Sequence, residues 1–210
     1  SGEAGKRELT YGRFGYTEQP SAGTDATEGG NCMSYALRDT RMILADDLEL
    51  DYDSMNSLYA VGGEGAVLEY IAGLVEDYVE AHRGSLKILD FRRLESFDSA
   101  IDPKKEYRIA LRIGCKIWDG EEIDLGGKGN FDYHFRAQLS DGQWAQKFPA
   151  DISEVIPCSG PGLSPGKYPW NSALQWMPKF QNYYTGDVVY YAVTKDTDDF
   201  TRHKSAEETQ

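Results

Sequence analysis

Between Tyr107 and Ile117 the chain alternates with a period of two. Tyr107, Ile109, Leu111, Ile113, Cys115 and Ile117 are apolar, while Arg108, Ala110, Arg112, Gly114 and Lys116 are small or basic. Such alternation predicts a strand with one buried face. A strand of that kind needs a partner layer. The strongest helical pattern runs from Ala66 to about His82, with Val67, Leu68, Ile71, Leu74, Val75, Tyr78 and Val79 on one face. Gly84 follows as a helix C-cap would, and His82 in the last turn reads as structural, a cation suited to the negative end of the helix dipole. Lys87–Phe91 and Val188–Val193 read as further strands, and Tyr133–Phe148 as a hairpin. These elements predict an α+β chain whose helices cover an antiparallel sheet.

The hairpin can be read to its register. Ser140-Asp141-Gly142 is its turn, a type I turn with Gly142 left-handed. Leu139 then pairs Gln143, Arg136 faces Gln146, and His134 faces Phe148. A two-residue turn would shift the pairing and send Gln146 to the other face. Elsewhere the pattern is weaker. Residues 1–30 read as an N-terminal arm and loop, Cys32 to about Ala45 as a helix, and Leu48–Gly63 as mixed and turn-rich. Residues 149–180 read as a long Pro- and Gly-rich connection of a length often tied to function. The domain boundaries expected are 1–30 for the arm, 31–195 for a catalytic domain and 196–210 for a frayed polar tail.

Composition narrows the function classes. The 210 residues are 40% hydrophobic and 12% aromatic, enough for one domain with a full core. A net charge of −13 and a pI near 4.6 repel phosphate backbones, so nucleic acid is not an expected partner. No apolar run approaches the roughly 20 residues of a membrane span. Three cysteines make neither a disulfide framework nor a zinc pattern. Cys115 falls in a strand core and Cys158 in a loop, so free thiols are expected, with one pair left open. Asp119, Glu121, Glu122 and Asp124 lack the spacing of an EF-hand loop. No metal and no cofactor are expected. No secretory signal is visible, and a secreted protein or an exported effector or toxin domain both fit the chain.

The chemistry gathers at Gly29-Gly30-Asn31-Cys32. Asn31 is a good N-cap, which puts Cys32 in the first turn of a helix, where the dipole favours a thiolate. The bland alternative is a small residue packed at a helix start. A nucleophilic thiol needs a base, and imidazole titrates in the right range. Of three histidines, His82 is explained by its helix end and His203 lies in the polar tail. His134 alone sits where a strand could present it to a helix terminus; otherwise it is a histidine on the wet face of a hairpin. A third group usually orients the imidazole. Gln146 shares a face with His134, Asp151 lies just past the hairpin, and Asp132 shares the strand, so all three stay open, as does a bare Cys–His dyad. The N–H of Cys32, with Asn31, would serve an oxyanion. The substrate site is expected to include Asn31, Asp132, Trp144 and Trp170.

With these residues in place the chain resembles the papain-like cysteine hydrolase superfamily: papain-type peptidases, cell-wall amidases of the NlpC type and transglutaminases. The order cysteine helix, histidine strand, polar group on the next strand carries the resemblance. The local match is to uncharacterised bacterial proteins, through Asn31-Cys32, Tyr35-Ala36-Leu37, Asp132-Tyr133-His134-Phe135, Gln138, Asp141-Gly142-Gln143-Trp144 and Lys147. In those proteins a histidine often stands where this chain has Gln146. The resemblance implies a papain-like core, with a nucleophile helix on an antiparallel sheet and a Cys–His site. It implies a thiol hydrolase that cleaves an amide or peptide bond in a peptide, protein or peptidoglycan. Glutamine deamidation or transglutamination through the same thioester is the related alternative. A non-catalytic carbohydrate- or protein-binding domain, contacting its ligand through Trp170, Trp176, Tyr183 and Tyr184, is the rival class.

Overall fold

The alternating segment is strand β2, Glu106–Cys115, an inner strand of an antiparallel sheet. The computed structural model describes residues 30–115, 117–118, 121–122, 131–147, 154–156, 187–197 and 201. The sheet order is β1-β8-β2-β5-β6-β7. Its other strands are β1 (Ile88–Leu94), β5 (Phe131–Gln138), β6 (Trp144–Gln146), β7 (Glu154–Ile156) and β8 (Val188–Lys195). A separate small pair, β3 (Ile117–Trp118) and β4 (Glu121–Glu122), follows β2 in the chain. Strand β7 was not legible in the Pro- and Gly-rich stretch, and its pairing with β6 extends the sheet by one strand.

The hairpin adopts the expected register. Ala137 pairs Ala145, the Leu139 N–H donates to Gln143 O at 2.7 Å, and Gly142 has φ 86°. Only a glycine takes that left-handed position without a steric penalty.

Helix α2, Tyr52–Ala81, lies across one face of the sheet. Its second half carries the expected apolar stripe, with Val67, Leu68, Ile71, Val75, Tyr78 and Val79 buried against Ile109, Leu111, Ile113 and Val193. Each such aliphatic side chain contributes about 2 kcal/mol through burial. The first half corrects the turn-rich reading of Leu48–Gly63. The helix already runs there, and is kinked at Gly63, where φ is 69° and ψ −162°. By length and hydropathy alone α2 is long and apolar enough to cross a bilayer. Its second half is instead a core helix, and Glu69 and Glu76 both grip Arg93 of β1, at 2.7 and 2.8 Å. The cap after α2 is His82, not Gly84. The ring Nδ1 of His82 lies 2.8 Å from Tyr78 O and stacks on Tyr78, a structural role as expected. A short α3, Arg83–Leu86, follows and ends at left-handed Lys87.

The cysteine helix α1 is much shorter than expected. It spans Cys32–Ala36, not Cys32 to Ala45. Arg38 turns left-handed with φ 56°, and Asp39 pairs with Thr201 in an isolated parallel bridge. The chain end reaches back to hold this exit, so at Thr201 the expected frayed tail is tied down. Lys195, buried at the end of β8, donates to Leu37 O, Arg38 O and Leu86 O at 2.9, 3.2 and 2.5 Å. One ammonium thus satisfies carbonyls at the ends of both α1 and α3.

The sheet is covered on both sides, which corrects the one-faced reading of β2. Odd residues of β2 from Tyr107 to Ile113 and of β5 face the helices, whereas Arg108, Ala110, His134 and Arg136 are buried on the opposite face. That second face is polar: Arg108 donates to Gln138 Oε1 at 3.0 Å and to Ser99 O at 2.7 Å.

Candidate active site

Residue 32 is positioned by a complete capping box. Ser34 N–H donates to Asn31 Oδ1 at 3.1 Å, and Asn31 N–H donates to Ser34 Oγ at 2.7 Å. Gly30 permits this closure, since a Cβ there would stand 2.7 Å from Ser34 Oγ. Asn31 Nδ2 donates to Ile43 O at 2.6 Å, which binds the segment after α1 to its start. The Asn31 amide thus serves the fold, through its oxygen at Ser34 and one N–H at Ile43. Lys147, at the end of β6, donates to Gly30 O at 2.6 Å and pins the entry to α1 against the hairpin.

The start of α1 meets β5 along one edge. Alternate N–H groups of β5 point toward β6, as the Leu139 bond shows, and the Phe135 N–H points the same way. The Cys32 sulfur lies near enough to the Phe135, Met33 and Cys32 N–H groups for each to favour its ionised form. Cys32 is a free thiol and only partly buried as a residue. Burial of the thiol is nevertheless the largest influence and pushes its pKa up to about 12. The Phe135 N–H opposes the rise, the Asp132 carboxylate adds to it, and the other two N–H groups oppose it. The expected thiolate is thus corrected to a neutral thiol: five residues of helix dipole do not offset the loss of water.

His134 is the residue before Phe135 and projects to the opposite face of the sheet. Its Nε2 lies 2.8 Å from Gln146 Oε1, the neighbour anticipated from the hairpin register. Gln146 Oε1 also accepts from Arg136 Nε at 3.1 Å. His134 is 1% exposed. Burial, then the Arg136 charge, lower its pKa to about 3, against the Gln146 bond, which raises it. The sulfur therefore lies beside Phe135, packed against the helix-covered core, while the His134 ring lies on the other face of the sheet. Among the described contacts no hydrogen bond joins the sulfur to the ring, and both groups rest neutral.

The remaining expected residues divide. Asp132 is exposed and accepts from the Tyr133 N–H at 2.8 Å, so its nearest role is electrostatic, on the thiol. Trp144 is 1% exposed and packs near Tyr190, so it is a core residue and not a substrate contact. Asp151, Trp170, Trp176, Tyr183, Tyr184, Cys158 and His203 lie outside the described residues. Among the described residues no cluster of His, Cys, Asp or Glu could hold a metal ion. Three contributors went unremarked as site residues in the sequence: Tyr133, whose hydroxyl is kept neutral by burial first and by its nearness to Cys32 second, Arg136, and Lys147. The signal for the first two was already in the hairpin register, which sets Tyr133 beside Phe135's face and Arg136 opposite Gln146.

No protein-family model, curated protein or solved structure matches this chain.

Proposed function

We propose that the chain is a thiol hydrolase of papain-like architecture that cleaves an amide bond in a peptide, protein or peptidoglycan. The observation that carries the reading is the meeting of α1 and β5. A capped helix start sets Cys32 beside Phe135 of β5, and the residue before Phe135 is a histidine held by a glutamine on the other face of the sheet. In the reaction the Cys32 sulfur forms a bond to the substrate carbonyl carbon and its proton passes to His134. The C–N bond then breaks, the leaving amine takes that proton, and water releases the acyl group from the sulfur with His134 as base. The N–H groups of Cys32 and Phe135 are the donors available to the oxyanion.

The resting site is not poised for this step. With the thiol near 12 and the imidazolium near 3, moving the proton costs about 12 kcal/mol before the attraction of the two new charges is counted. Turnover therefore requires an opened state that brings the ring to the sulfur and lets substrate reach both groups. The same desolvation favours a second reading, a non-catalytic domain in which Cys32 and His134 are packing residues.

Turnover of peptide and peptidoglycan amides by the intact protein, Cys32→Ala and His134→Ala separates the two. The hydrolase reading expects activity lost in both variants and an acyl adduct on Cys32 detectable by mass spectrometry. Activity retained in Cys32→Ala would refute it.

A further inference from the structure

Gln146 Oε1 sits between two groups on the inner polar face of the sheet, His134 Nε2 at 2.8 Å and Arg136 Nε at 3.1 Å. A guanidinium can only donate. The glutamine atom facing Arg136 is therefore the carbonyl oxygen, which removes the usual ambiguity between the two ends of an amide. That same oxygen faces the imidazole, so the His134 Nε2 must carry a proton to meet it. The lone pair then lies on Nδ1. From these contacts we propose that Arg136 is a positioning residue, fixing the Gln146 amide so that His134 is held as a single tautomer with Nδ1 as its basic nitrogen. The role presupposes the thiol hydrolase reading, but the tautomer itself does not depend on it.

The geometry explains why a glutamine needs help here. A carboxylate would orient an imidazole whichever way it turned, because both its oxygens accept. An amide presents an acceptor at one end and a donor at the other, and a flip would select the opposite tautomer. Arg136 makes the flip costly, since it would set an NH2 group against a guanidinium on a buried face. The arginine lies two residues from His134 on β5, on the same side of the strand, and faces Gln146 in the hairpin register. Its charge also opposes protonation of the ring, and Arg112 pairs with His134 from β2. Asp132, on the same strand, is exposed.

The test is nitrogen NMR of the intact protein labelled at histidine, with the His134 signals assigned by their loss in His134→Gln. The intact protein should show the widely split nitrogen pair of one tautomer, protonated at Nε2. Arg136→Met should collapse that splitting toward the averaged value of two exchanging tautomers and raise the His134 protonation constant about tenfold. Arg136→Lys, which keeps the charge and one donor, should restore the split pair. If Arg136→Met does not fold, Arg136→Gln is read in its place, with the same raised protonation constant and appearance of the second tautomer expected. A proton on Nδ1 in the intact protein, or an unchanged His134 spectrum in the folded variant, would overturn the proposal. An inert Cys32 beside the expected tautomers would sink the hydrolase reading and leave the Arg136–Gln146–His134 assignment standing.

Discussion

Alkylation of Cys32 by iodoacetamide tests the electrostatics of the site directly. The thiolate is the reacting species. With the thiol pushed up to about 12, roughly one molecule in 10⁵ is ionised at pH 7, against about 3 in 100 for a free cysteine of pKa near 8.5. Cys32 should therefore react roughly three thousand times more slowly than a free thiol at pH 7. Its rate should climb about tenfold per pH unit through pH 10, because the thiolate fraction does. The measurement follows the Cys32 peptide by mass spectrometry, so the other two cysteines do not interfere. A thiolate–imidazolium pair would give the opposite profile, fast at pH 6 and nearly flat above it. That profile would refute the account of a thiol dominated by burial. Reaction through an opened state has its own signature: the pH dependence of a free thiol and acceleration by urea below the unfolding transition. That signature is what the proposed hydrolase needs.

Acid should destabilise the protein through His134. Its folded pKa lies near 3 and its ordinary value at 6.5, so as pH falls the unfolded chain takes up the proton first. Stability is then lost between pH 6.5 and 3, by at most about 5 kcal/mol. Urea titrations at pH 7 and pH 4 should show a smaller loss in His134→Gln, and equal losses would contradict the burial of a neutral ring. Lys195→Met leaves the carbonyls of Leu37, Arg38 and Leu86 without their shared donor and should cost about 2–3 kcal/mol. Faster amide exchange in α1 and α3 should accompany it, and unchanged protection there would disprove the staple. Asn31→Ala removes the cap of α1 and the tie to Ile43, for a loss of about 1–2 kcal/mol. It should also speed Cys32 alkylation, and a variant as slow as the parent would show that the cap does not hold the sulfur in place.

What the sequence made legible was local. The period of β2, the stripe Val67–Val79 and the turn at Gly142 each depend on residues a few positions apart, and each appears where those residues placed it. The register of one hairpin was enough to bring Gln146 to His134 across 12 residues. The first half of α2 was hidden because Gly62, Gly63 and Gly65 each cost a helix about 1 kcal/mol, the ordinary mark of a break. The break does occur, at Gly63, but helix stands on both sides of it. The early end of α1 was hidden for the opposite reason. Nothing in Leu37-Arg38-Asp39 forbids another turn, and what closes the helix there is supplied by Lys195 and Thr201, more than 150 positions away.

The charge state of the site was the hardest property to foresee, and the cause is physical. Helix position and the identity of neighbours are written in the sequence, and both argued for a thiolate at Cys32. Desolvation is a sum over everything that folds around a group, and here it outweighs the nearby N–H groups at the sulfur and the glutamine bond at the ring. A second polar layer explains why. The even residues of β2 and β5 read as a wet face because they include Arg108, Arg112, His134 and Arg136, yet Arg108, His134 and Arg136 are buried. Chain that covers such a face must satisfy its donors, and in doing so it strips water from His134. The burial that holds the imidazole against Gln146 is thus the same burial that keeps it from taking a proton, so order at this site comes at the expense of basicity until the face is opened.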